Sequence, residues 1–116
     1  MNPNKEKDAD LIWRLSLGYE SAAAALYDQY GQLVYQMALL AKQQNKSNSI
    51  DPDQVVVDAF VRMYKQSGKY NADVPLEKWV QLQTRLCIAD KLAPKSADTG
   101  FWARAAEFAR KRQRTG

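Results

Sequence analysis

The chain has 116 residues, enough for one domain with a modest core, and its 46% hydrophobic and 26% charged residues are typical of a globular protein. Its net charge of +4 is small. Histidine is absent and Cys87 is the single cysteine, which excludes a His-dependent catalytic triad, a Cys/His zinc site and an internal disulfide.

The first two predicted elements are helices. A short helix is predicted from about Asp8 to Leu17, with Gly18 as its stop, and a long one from about Glu20 into Lys42. The Trp13 ring is assigned to the apolar side of the short helix, together with Leu11, Ile12 and Leu15. Apolar residues recur in the long helix at steps of three and four. The glycine inside it, Gly31, is a candidate for a close helix crossing.

A polar loop, residues 42–49, separates the long helix from a third helix. Asp51 is predicted as the N-cap of this helix and Pro52 as its first residue, where the missing N–H does no harm. The helix is predicted to run to about Gln66 and to end at Ser67-Gly68.

A fourth helix is predicted from Pro75 to a point before Pro94, and a last one from about Thr99 to Arg112. The chain is therefore predicted to be all-α, a compact bundle of four to five helices. Residues 1–95 form the helical domain in this interpretation. Residues 96–116 form a basic C-terminal helix or the start of a linker.

The third helix has an apolar side that is predicted to belong to the core and a polar side that carries two valines. The predicted core includes Leu26, Phe60, Met63 and Trp79. The polar side consists of Gln54, Val57, Asp58, Val61, Arg62 and Lys65. Val57 and Val61 lie one turn apart. Either helix packing covers both valines, or they form a small apolar strip, flanked by Asp58 and Arg62, that docks a partner helix.

The fourth helix is predicted to dock through six apolar residues: Leu76, Trp79, Val80, Leu82, Leu86 and Ala89. Its predicted solvent side consists of Glu77, Lys78, Gln81, Thr84, Arg85 and Lys91. The three cations there are candidates for phosphate contacts, and Gln81 and Thr84 for contacts to bases or sugars. The alternative is an ordinary solvated face. Cys87 is predicted to be a buried apolar residue rather than a nucleophile.

The net charge lies entirely in the last segment. Residues 1–100 carry 12 Lys/Arg and 12 Asp/Glu, whereas residues 101–116 carry five Lys/Arg and one Glu. Such a basic end is typical of a nucleic-acid contact, here through Arg104, Arg110 and Lys111, although solvated basic tails are common as well.

Other classes of protein are disfavoured. The sequence has no glycine-rich phosphate loop and no apolar run near the roughly 18 residues that a membrane span needs. A single cysteine fits the reducing cytosol. We expect a cytoplasmic protein that is not an enzyme and has no cofactor, no metal site and no membrane partner.

Three segments, taken in order, resemble the second conserved region of bacterial sigma factors of the extracytoplasmic-function class. "DADLIWRLSLGYESAAAALYDQYGQLVYQMAL" is similar to the family's opening helices. "DPDQVVVDAFVRMYKQ" resembles the polymerase-binding helix, and "KYNADVPLEKWVQLQTRLCIAD" the promoter-reading part. The resemblance covers roughly residues 8–92 and depends on the order and spacing of all three segments.

This resemblance implies a region 2-like fold and two partners. The third helix would bind the coiled-coil clamp of the largest subunit of core RNA polymerase through Gln54, Val57, Asp58, Val61 and Arg62. The loop after it and the fourth helix would hold the opened −10 promoter strand, through Lys69, Tyr70, Asn71, Lys78, Gln81, Arg85 and Lys91. An anti-sigma protein is a further candidate partner.

The chain departs from the family pattern at several positions. Val57 stands where the family usually has Gln, Gln54 where it has Asp, and Leu86 where Asn is common. Three functions stay open: a transcription-initiation domain, a degenerate sigma-like regulator that acts through protein contacts without promoter melting, and a helical nucleic-acid-binding module unrelated to initiation.

Overall fold

The computed structural model describes residues 2–93 together with Ala106, Glu107 and Ala109. Within residues 2–93 the elements are α1 (Lys5–Ser16), α2 (Glu20–Asn45), α3 (Pro52–Gln66), a 3₁₀ turn (Ser67–Lys69) and α4 (Leu76–Leu92). The four helices pack against one another, which confirms the predicted all-α bundle. Most of the predicted last helix lies outside the described residues, including Arg104, Arg110 and Lys111. No described helix is long and apolar enough to cross a membrane.

Local signals set the start of α3 and the end of α2. The Asp51 carboxylate accepts a hydrogen bond from the Asp53 N–H at 3.1 Å, so it caps α3 as predicted, with Pro52 as the first helical residue. α2 continues to Asn45, beyond the predicted end, and stops where Lys46 adopts a left-handed conformation with φ 47°.

The core draws on all four helices. Its fully buried side chains include Ile12, Leu26, Val34, Val55, Met63, Leu76 and Val80. Leu26, Met63 and Trp79 are buried as predicted, whereas Phe60 is half-buried at the edge of the core. Cys87 is buried too, and burial raises the pKa of its thiol, as expected for a structural cysteine.

The predicted docking side of α4 was partly wrong. Leu82, Leu86 and Ala89 are exposed, whereas Thr84, predicted to face solvent, is completely buried. Burial of Thr84 is tolerated because its hydroxyl donates to the Val80 carbonyl oxygen at 2.8 Å. Hydropathy alone favoured the leucines because it does not register such internal hydrogen bonds.

Trp13 and Gly31 also differ from the sequence-based expectation. Trp13, assigned to the apolar side of the first helix, is mostly exposed. Gly31 is buried, but a Cβ there would meet the ring of Tyr27 at 3.4 Å, so its neighbour is a side chain of its own helix rather than a crossing helix. Gly31 therefore makes room for the Tyr27 ring, which contacts Phe60 of α3 with ring centroids 5.4 Å apart.

A buried carboxylate joins α1 to the start of α4. Asp8 accepts a hydrogen bond from the Leu76 N–H at 3.2 Å and another from the Asn2 side-chain amide at 2.8 Å. The residue before α4, Pro75, makes no side-chain cap of its own. Asp8 therefore caps α4 from another helix, where a negative charge also complements the helix dipole.

Truncation of the buried tryptophan tests the core. We expect Trp79→Ala to lower the free energy of unfolding by about 3–5 kcal/mol, because the ring is only 7% exposed. The matched control is Leu82→Ala on the same helix, which is 46% exposed and should cost under about 1 kcal/mol. Denaturant unfolding of both variants measures the difference, and equal costs would contradict the observed orientation of α4.

Candidate functional site

The valine strip of α3 is open to solvent. Val57 is 56% exposed and Val61 is 45% exposed, so helix packing does not cover them. Val55 and Ala59, on the opposite side of α3, are completely buried. The strip is therefore available to a partner, as one of the two interpretations of the sequence requires.

The strip forms one edge of a large groove between α2 and α3. The groove has a volume of about 1290 Å³ and is lined mainly by apolar and aromatic side chains. The residues of this groove, which we call the α2–α3 groove, include Tyr19, Ala23, Tyr27, Tyr35, Val57, Phe60, Val61 and Tyr64. An apolar concavity of this size is typical of a protein-binding surface.

Polar residues of α3 next to the strip are tied to α4. The Lys91 ammonium lies 2.5 Å from the Asp58 carboxylate, which also accepts a hydrogen bond from the Gln54 amide at 2.9 Å. The bond from Lys91 lowers the pKa of Asp58, and the same contact raises the pKa of Lys91. The Asp58 and Lys91 side chains are therefore engaged in a contact between α3 and α4.

Arg62 is engaged in the same way. Its Nε donates to the Gln83 side-chain oxygen at 3.0 Å, and its guanidinium lies 3.7 Å from the Asp90 carboxylate. Arg62 thus gives the side-chain oxygen of the buried Gln83 a hydrogen-bond donor. Of the five predicted partner-binding residues, Val57 and Val61 line the α2–α3 groove, whereas Asp58 and Arg62 join α3 to α4.

The loop that joins α3 to α4 is held in a defined shape. Tyr70 packs edge-on against Trp79 with ring centroids 5.1 Å apart, and its hydroxyl donates to the Val74 carbonyl oxygen at 2.8 Å. Burial and the nearby charge of Asp8 raise the pKa of Tyr70 to about 12. The Asn2 amide donates to the Ala72 carbonyl oxygen at 2.9 Å. Asn71 accepts a hydrogen bond from the Asp73 N–H at 3.0 Å, which closes a local turn.

The predicted nucleic-acid residues divide into two groups. Lys69, Asn71, Lys78 and Arg85 are exposed, and Gln81 is half-buried. Lys78, Gln81 and Arg85 follow at helical spacing on one face of α4. The second group consists of Lys91 and Tyr70, which are already engaged within the fold. Lys91 contacts Asp58, and Tyr70 packs against Trp79 and so stabilises the loop.

A small polar pocket adjoins the loop. It has a volume of about 350 Å³ and lies between the start of α1, the middle of α2 and the start of α4. Its lining includes Asn2, Lys7, Asp8, Gln29, Tyr30 and Glu77. Burial is the main cause of the raised pKa of Tyr30. The sequence does not reveal this pocket, because its residues are far apart along the chain.

One sequence pattern coincides with the groove but does not reveal it. Tyr27, Gly31 and Tyr35 follow at four-residue intervals on α2, so the two aromatic rings flank a position without a side chain. Their helical repetition alone suggests core packing, and only the structure shows that this face of α2 borders an open groove.

No protein-family model, curated protein or solved structure matches this chain. The geometry of the two surfaces and the sequence resemblance are therefore the basis for assigning a function.

The exposure of the valine strip can be tested with charged variants. We expect Val57→Asp and Val61→Asp to leave the thermal midpoint nearly unchanged, because their side chains already meet water. Val55→Asp is the matched control, since this valine is 0% exposed and a buried unpaired carboxylate should unfold the protein. Thermal unfolding followed by circular dichroism measures all three. Unfolding of the Val57 and Val61 variants would mean that these residues belong to the core.

Proposed function

We propose that this chain is a transcription-initiation domain of the sigma factor region 2 type, which binds core RNA polymerase and the −10 strand of promoter DNA. The observation that carries the proposal is the pair of surfaces on consecutive helices. α3 presents an exposed apolar strip to a protein, and the loop and α4 that follow present exposed cations and amides to a strand.

The polymerase contact uses the α3 strip. Val57 and Val61 contribute apolar area to a helical partner such as the clamp coiled coil, and the α2–α3 groove beside them extends that area. Gln54 is exposed at the N-terminal end of the strip and supplies a polar contact. Asp58 and Arg62 stabilise the packing of α3 against α4 and are not the main residues of the polymerase contact.

The DNA contact uses the loop and the adjoining face of α4. Lys69, Lys78 and Arg85 neutralise phosphates, and Asn71 and Gln81 supply hydrogen bonds. The polar pocket next to Pro75 offers amide and carboxylate groups to an extruded base. Extrusion costs a few kcal/mol, and a loop that is already fixed by Asp8 and Asn2 adds no further ordering cost.

A second function is favoured by one observation. Leu82 and Leu86 are exposed on α4, next to the predicted DNA-binding residues, and Leu86 stands where the sigma family commonly has Asn. An apolar patch there suits a protein partner better than a polyanion. The alternative is therefore a sigma-like regulator that works through protein contacts, for example with an anti-sigma protein, without promoter melting.

Binding to core RNA polymerase tests the first contact. We expect Val57→Asp to weaken binding of the full chain by at least about tenfold, or roughly 1.4 kcal/mol, because a carboxylate would be buried in an apolar contact. Leu82→Asp on α4 is the control and should bind like the parent chain. A loss of binding with Leu82→Asp alone would favour the regulator, and no binding by the parent chain would reject the initiation function.

The DNA contact can be tested by the salt dependence of binding to a single-stranded −10 oligonucleotide. We expect Lys78→Ala and Arg85→Ala each to reduce the slope of log affinity against log salt by about 0.7, the value for one phosphate on a single strand. The double variant Asp58→Asn/Lys91→Ala is the control, because it removes a paired cation and its partner together. It should leave the slope unchanged, and an equal reduction in all three would argue against a specific basic face.

A further inference from the structure

The α2–α3 groove is apolar at its base and acidic at its margin. Glu20 and Asp28 of α2 and Asp53 of α3 belong to its lining, and the described residues that line it include no Lys or Arg. The groove therefore favours an occupant with an apolar side and flanking positive charges.

The C-terminal segment of the same chain has this character. At 100° per residue, Phe101, Trp102, Ala105, Phe108 and Ala109 fall on one side of a helix, and Arg112 falls on the same side at its C-terminal end. Arg104 and Lys111 lie at one edge of that side, whereas Arg110 and Arg114 lie opposite it. Ala106, Glu107 and Ala109 are helical and exposed.

The length of the connection allows the segment to reach the groove. α4 ends at Leu92, and Lys91 contacts Asp58, the neighbour of the groove residue Val57. Eight residues, 93–100, span up to about 27 Å when extended, which exceeds the roughly 10–12 Å width of α3 that they must cross. A three-turn helix half-embedded in a surface occupies on the order of 600 Å³, well within the groove's volume of about 1290 Å³.

The exposed leucines of α4 are a poorer match. Leu82 and Leu86 lie beside Lys78 and Arg85, which would repel the basic segment. The groove and the leucine patch of α4 therefore differ in the charge beside them, and the basic segment matches the acidic groove better.

We propose that residues 101–112 dock as a helix in the α2–α3 groove of their own chain, with Phe101, Trp102 and Phe108 inside it and with Arg104 and Lys111 against its acidic margin. The docked helix covers Val57 and Val61, so a charge at either position displaces this helix while the four-helix bundle, and with it the thermal midpoint, stays nearly unchanged. If the proposed function is right, it also competes with the polymerase clamp for this surface, but docking itself does not depend on that function.

A disulfide trap in the full chain tests the docking. In a Cys87→Ala background, Val57→Cys with Ala105→Cys forms the test pair, and Leu82→Cys with Ala105→Cys forms the control pair on α4. A disulfide needs Cα atoms within about 7 Å of each other. At about 1 µM protein, an effective concentration on the order of 1 mM favours a bond within the chain by roughly a thousandfold over a bond between chains.

We expect the test pair to oxidise to a monomeric disulfide at least about tenfold faster than the control pair, as measured by non-reducing electrophoresis. A dimeric product from the test pair would assign the groove to a second copy and overturn the proposal. Equal rates for the two pairs, or no disulfide in either, would overturn it as well. Polymerase plays no part in this readout, so its outcome is independent of the proposed function.

Fluorescence of Trp102 gives a second measurement without cysteines. In a Trp13→Phe background the remaining tryptophans are Trp79, which is buried, and Trp102. At low salt, Asp28→Arg with Asp53→Arg should increase acrylamide quenching, and Arg104→Glu with Lys111→Glu should reverse the increase. Glu6→Arg, an exposed charge reversal outside the groove, is the control. Quenching that rises equally with Glu6→Arg, or is not reversed, would contradict docking at the acidic margin.

Discussion

The arrangement of the bundle depends on the buried carboxylate of Asp8. It accepts hydrogen bonds from the Asn2 amide and from the first N–H of α4, so the N-terminus, α1 and α4 meet at one side chain. Because Pro75 supplies no cap, the start of α4 has no other side-chain acceptor within the described residues. The same contact holds the loop between α3 and α4, since Asn2 also binds backbone carbonyls of that loop.

A second set of polar contacts fixes α3 against α4 and thereby defines the surfaces. Lys91 binds Asp58, and Arg62 binds the buried amide of Gln83. With one polar edge of α3 turned to α4, Val57 and Val61 face the groove with α2. These contacts are partly exposed, so each contributes little to stability by itself. Their effect is mainly on orientation, because they determine which apolar side chains stay uncovered.

The uncovered surfaces differ in charge, so they suit different kinds of partner. The α2–α3 groove has an acidic margin, whereas the exposed face of α4 carries Lys78 and Arg85. A basic amphipathic helix therefore matches the groove, and a phosphate backbone matches α4. Under the proposed function, a protein on one side of the domain and a strand on the other would not exclude each other by charge.

The sequence by itself determined the helical class and the boundaries of α3, because apolar periodicity and the Asp51-Pro52 cap are local signals, and it identified the strip of Val57 and Val61 without deciding whether helix packing covers it. It also identified Trp79 and Met63 as core residues. Only the tertiary structure decided that Thr84 is buried and Leu82 exposed, since burial of a polar residue depends on hydrogen bonds that hydropathy does not record. Likewise, the cap from Asp8 to Leu76 joins residues 68 positions apart, and no local pattern encodes such a contact.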